Sequence, residues 1–148
     1  MLAVVVAMMV GGVTETQAGD IRFALTGGNI TASYNGGTPI TIVTGNTVIP
    51  AASLNSTLAT ILPNNQAFNQ GPGGNFPTHT IIIGTGITGI ANGTGMSSPF
   101  MGCQYVEKVV FEGAITTGIG NYAFESASYV KSVYFNAAVN TIDTGAFQ

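Results

Sequence analysis

From Val106 onward the chain repeats itself. VEKVVFEGAITTGIGNYAFESASY (106–129) and VKSVYFNAAVNTIDTGAFQ (130–148) align so that Val106 matches Val130, Val109 matches Val133 and Phe111 matches Phe135. Ile115 then matches Val139, Ile119 matches Ile142, and Ala123-Phe124 matches Ala146-Phe147. The period is 24 residues, falling to 23 because Gly118 has no counterpart. A unit of this size cannot bury its own apolar face and must stack on a neighbour. That requirement constrains the fold more than any local propensity.

Two earlier copies fit upstream. In IIIGTGITGI (81–90), Ile81 and Ile83 fall on Val109 and Phe111, Ile87 on Ile115, and Ile90 on Ile119. Pro99-Phe100 takes the place of Ala-Phe after an insertion in ANGTGMSSP. A looser copy, VIPAASLNSTLATILPNNQAF, ends at Ala67-Phe68, so the marker phenylalanines are Phe68, Phe100, Phe124 and Phe147.

The same alignment accounts for a literal G-x-G-x-x-G at Gly84, Gly86 and Gly89. A dinucleotide fingerprint needs a helix N-terminus directly behind its glycines. Here the following residues are IANGTGMSSP, rich in helix breakers. Gly84 occupies the slot of Glu112 and Asn136, Gly86 that of Ala114 and Ala138, and Gly89 that of Thr117 and Thr141. The glycines are read as turn residues, and no cofactor is expected.

Charge excludes further classes. Only 6% of residues are charged, against roughly 25% in ordinary soluble domains. Between Phe23 and Val106 there is no Asp, Glu, Lys or Arg. Three basic residues, Arg22, Lys108 and Lys131, cannot neutralise a row of phosphates or dock on anionic lipid. A surface so neutral has little long-range repulsion to keep copies apart.

Residues 1–18 stand apart as an apolar N-terminal segment. MLAVVVAMMV is too short to span a bilayer, and GGVTETQA behind it ends in a small residue before Gly19. The segment reads either as a signal-peptide remnant lacking its basic start or as a retained packing segment. Cys103 is the single cysteine, so neither an intramolecular disulfide nor a cysteine-built zinc site is available. Sequons at Asn29, Asn55 and Asn92 matter only in a glycosylating host.

The segment from Pro99 to Phe147 resembles BspA-like (Treponema-type) leucine-rich repeats. Phe100-Met101-Gly102-Cys103 matches that family's aromatic, small-residue and cysteine run, and Ile119-Gly120-Asn121-Tyr122-Ala123-Phe124 matches its turn and Ala-Phe pair. Valine stands here where the family usually has leucine. IRFALTGGNITASYNGGTPITIVTGNTVIP looks like the β-hairpin lead-in that often precedes such repeats. The resemblance implies a mainly β fold with little helix: a β-rich lead-in over 19–45 and a short leucine-rich-repeat solenoid over 46–148. It also implies a place outside the cell or on its surface.

Each copy is expected to carry a short strand with alternate residues inward. The expected core is Phe68, Phe100, Cys103, Val109, Phe111, Ile115, Ile119, Phe124, Val133, Phe135, Val139 and Ile142. GNYAFESASYV is expected to form a helical turn capped by Asn121. Ile82, Val110 and Tyr134 alternate to the outside, with Val48 as a fourth candidate. With Phe147, the first three make up the candidate interface. The chain stops at Ala146-Phe147-Gln148 in mid-repeat, so an apolar end is expected to need a partner.

No catalytic constellation appears. His79 is the single histidine, and Glu107, Glu112, Glu125 and Asp143 are scattered along different parts of the repeats, giving neither a paired-carboxylate site nor a calcium loop. The resulting expectation is a non-enzymatic extracellular protein that assembles with copies of itself into a fibre or surface layer. The alternative is a fragment of a BspA-like adhesin that binds a host or matrix protein through its outward strand face. No nucleic acid, small-molecule substrate, metal or membrane span is expected in either case.

Overall fold

A computed structural model describes residues 19–62, 80–94, 97–103 and 106–148, together with the backbone of 5–8. The described chain is mainly β. It contains β1 (Val5–Met8), β2 (Asp20–Thr26), β3 (Asn29–Tyr34), β4 (Ile40–Thr44) and β5 (Val48–Ile49). After the helix α1 (Asn55–Ala59) come β6 (Thr80–Ile83), β7 (Gly89–Ile90), β8 (Lys108–Phe111), β9 (Gly118–Ile119) and β10 (Ser132–Phe135).

The first strands follow from alternation. Ile21 and Phe23 in β2, and Ile30 and Ala32 in β3, are fully buried; Arg22, Ala24, Asn29, Thr31 and Ser33 beside them are half-buried, and only Asp20 at the start of β2 breaks the alternation by being buried as well. Gly27 and Gly28 join the two strands with φ of 56° and 78°. A hairpin turn with positive φ at both central residues is the type whose twist matches its strands, and glycine adopts it without Cβ strain. β4 adds antiparallel to β3 across a bulge between Ile30 and Thr31.

From β2 outward the same sheet becomes parallel. Its order is β1-β10-β8-β6-β2-β3-β4, an open sheet with β1 and β4 at the edges. Ile21 lies beside Ile81, Ile81 beside Val109, and Val109 beside Val133. Phe23, Ile83, Phe111 and Phe135 form the parallel row two residues on. A second open sheet, β5-β7-β9, aligns Ile49, Ile90 and Ile119. Isolated bridges extend the pairing from Ile115 to Val139 and from Ile119 to Ile142.

Aromatic rings repeat at the strand spacing of roughly 4.8 Å. Phe100 stacks on Phe124 at 4.7 Å, Phe124 on Phe147 at 4.8 Å, and Phe111 on Phe135 at 4.9 Å. Phe23 meets Phe100 edge-on at 5.4 Å. One buried apolar cluster runs from Ile21 to Ala146 and includes both sheets and Leu54, Leu58 and Leu62 of the α1 region. The chain therefore has no break in packing at residue 45: β2 supplies a rung of the parallel sheet, and the β3–β4 hairpin interrupts the sequence between β2 and β5.

Several expectations need correction. The segment from Asn121 to Ser126 forms successive turns rather than a helix. Its alternate N–H groups donate to the next rung instead, as Tyr122 N does to Gly145 O (3.1 Å) and Phe124 N to Ala146 O (2.8 Å). Asn121 is not a cap; its own N–H donates to Asn92 Oδ1 at 2.9 Å. Gly89 pairs with Gly118, not Thr117, and belongs to a strand, not a turn. A Cβ there would lie 2.7 Å from Gly118 O and 2.8 Å from Thr117 Cβ, so close backbone approach requires glycine. Gly86 does turn the chain, with φ of 87°.

Candidate interaction surface

The row expected to face outward begins at a charged residue. Register places Arg22, Ile82, Val110, Tyr134 and Ala7 side by side across β2, β6, β8, β10 and β1. Val48 is not in this row; it lies in the second sheet beside Gly89. The place next to Ile82 belongs to Arg22.

Two members of the row are not available for binding. Ile82 is 0% exposed and Val110 2%, although neither belongs to the main apolar cluster between the sheets. An ion pair crosses the same part of the sheet. Arg22 Nη1 donates to Glu112 Oε2 at 2.7 Å, and Nη2 donates to Glu112 Oε1 at 2.9 Å. Arg22 is on β2 and Glu112 directly follows β8, so this two-pronged contact bridges over the intervening β6, where Ile82 sits. An arginine stem laid on apolar surface shields it while its head stays polar. Ile82 and Val110 are buried and present no open surface in the described structure. Tyr134 remains half-buried.

The open apolar surface lies at the other end of the second sheet's row. Ile90 is 2% exposed and Ile119 is 0%, but Ile142, bridged to Ile119, is 45% exposed. Ile142 was expected in the core. It is covered on the Ile119 side, and no described strand lies on its other side. Val139 and Phe147 are likewise half-buried, whereas their partners Ile115 and Phe124 are fully buried. Phe100, Cys103, Val109 and Val133 are fully buried, and Phe135 nearly so. Phe68 and His79 lie outside the described residues.

Two shallow grooves flank this end. One, of about 410 Å³, is lined by Ile115, Thr116, Ala138, Val139 and Asn140. The other, of about 400 Å³, runs past Val48, Asn92, Thr117, Gly118, Thr141 and Asp143. Among the described residues that line them, Asp143 is the only titratable group. Beside the second groove, hydroxyls form a short ladder: Thr47 Oγ1 lies 2.9 Å from Thr88 Oγ1, and Thr117 Oγ1 lies 3.1 Å from it.

Several other charged and reactive groups are paired or buried. Lys131 pairs with Glu107 at 2.8 Å on the surface. Ser98 Oγ, fully buried, donates to Glu125 Oε2 at 3.0 Å. Burial pushes the Cys103 thiol up to about 12, partly offset by a backbone hydrogen bond. A thiol held that far from its reactive thiolate form is inert at neutral pH. Among the described residues no three His, Cys, Asp or Glu side chains gather to hold a metal ion. No described helix is long and apolar enough to cross a membrane.

The free edge of β10 is occupied. β1 pairs with it in parallel, with Val5 beside Ser132 and Met8 beside Phe135. The apolar character of residues 1–18 is legible in the sequence, but the pairing of Val5–Met8 is not, because four residues of strand carry no repeat signal. No family model matches the chain, and neither does any curated protein or solved structure.

Proposed function

We propose that the chain is a non-enzymatic structural protein of the cell exterior that assembles with copies of itself into a fibre or surface layer. In this reading residues 80–148 are successive turns of a leucine-rich-repeat-type solenoid, with β2 and β5 as an earlier turn interrupted by the hairpin. The observation that carries it is the contrast along one row: Ile90 and Ile119 are buried, while Ile142 is 45% exposed. Fully burying an isoleucine contributes roughly 1.5–3 kcal/mol, and Val139 and Phe147 are left half-covered beside it. The near absence of charge supports association by removing the repulsion that keeps soluble proteins apart. The adhesin alternative has less support, because Ile82 and Val110, half of its expected contact row, are buried.

Negative-stain electron microscopy of the 148-residue chain tests the reading. Filaments or sheets with a regular repeat are expected. Dispersed single particles at high protein concentration would count against it. In assembling material, Ile142→Asp should abolish the assemblies while leaving the far-ultraviolet spectrum of the chain unchanged.

A further inference from the structure

The parallel sheet contains a strand whose attachment is unusual. β8 and β1 lie on opposite sides of β10 in matching register, so β1 stands where a further rung would stand. It is at the edge of the sheet, and among the described strands β10 is its one partner. Met8 and Asp20 are joined by residues 9–19, eleven in all. β1 and β2 are four strand spacings apart and run in the same direction. Four spacings of about 4.8 Å amount to roughly 19 Å, across the sheet alone. Eleven extended residues reach about 36 Å. Eleven residues are enough to join the two strands within one chain, and that length alone does not dictate which copy's β10 edge β1 occupies.

The geometry points to β1 as an exchangeable strand, with the β10 edge of each copy accepting β1 of a second copy in the register seen within one chain. This inference rests on the self-assembly reading and names its joint. The pairing is carried by backbone hydrogen bonds, which any copy supplies equally, so exchange replaces each bond lost with an identical one. Donor strand and acceptor edge are different surfaces of the chain. Exchange that is not reciprocal therefore leaves a free β1 at one end and a free β10 edge at the other, and the contact propagates. The apolar, uncharged β1 sequence, Val-Val-Ala-Met, suits a site between two chains where no counter-charge is offered.

Site-directed cross-linking tests this. Ala7 and Tyr134 are register partners, as are Val5 and Ser132. Full-length chains carrying Ala7→Cys alone are mixed with chains carrying Tyr134→Cys alone, unfolded, refolded together and treated with a short thiol-to-thiol cross-linker. The expected product is a band at twice the 15.1 kDa chain mass, absent when either variant is treated by itself. The Val5→Cys and Ser132→Cys pair should behave alike, which guards against one substitution disturbing the edge. A chain carrying both Ala7→Cys and Tyr134→Cys should give multimers. Cross-linking confined within single chains, in samples that still sediment as assemblies, would overturn the exchange and leave self-assembly standing. Single-chain cross-links with no assemblies at all would overturn both.

Discussion

Individual residues explain the packing by what they cannot become. Gly89 faces Gly118 across parallel backbones, and a methyl group on it meets both a carbonyl oxygen and the Thr117 side chain. Forcing extra volume into such a site costs roughly 1–3 kcal/mol. Gly89→Ala should lower unfolding stability by about that amount in urea titration, and an unchanged midpoint would mean that the two sheets pack less tightly than described. Cys103 makes a second prediction through its proton. The folded chain holds the thiol proton up to about 12 against an ordinary 9.0. Folding thus favours the neutral thiol, and its contribution is complete below 9.0 and lost as pH rises through about 12. The urea midpoint should fall across that window more steeply than in Cys103→Ala. Equal slopes would place the thiol in contact with water.

At the scale of elements, one ion pair ties strands that are not neighbours. Arg22 and Glu112 have side-chain exposures of 23% and 9%, whereas the Lys131–Glu107 pair is far more open at 66% and 50%. Exposed pairs contribute about 0–1 kcal/mol, and removing one partner of a better-buried pair costs more, because it strands the other charge. Glu112→Gln should therefore lower the urea midpoint clearly more than Glu107→Gln. Equal effects would remove the bridge over β6 from the account. This contact could not be read from the sequence, since ninety positions separate the two residues and the pattern of each strand says nothing of who its neighbour is. What could be read was the register between copies. Val109 with Val133, Phe111 with Phe135 and Phe124 with Phe147 occupy matched slots because large apolar side chains repeat at one spacing, and a stacked parallel ladder turns equal spacing into contact. β2 escaped that reasoning because the β3–β4 hairpin separates its rung from β5. Ile142 escaped it because alignment gives a residue's slot but not whether anything lies on the slot's far side.

At the scale of the whole molecule, the described residues combine a continuous apolar interior with two open sheets, and the chain carries almost no charge. A parallel sheet grows by adding rungs, and nothing in its hydrogen bonding limits the number. β1 at the edge and the half-covered Val139, Ile142 and Phe147 are where such growth would proceed. Sedimentation velocity on the intact chain across a dilution series tests association most directly. The account predicts that the average sedimentation coefficient rises with concentration toward species many times the 15.1 kDa chain mass. A single 15.1 kDa species at every concentration would contradict it.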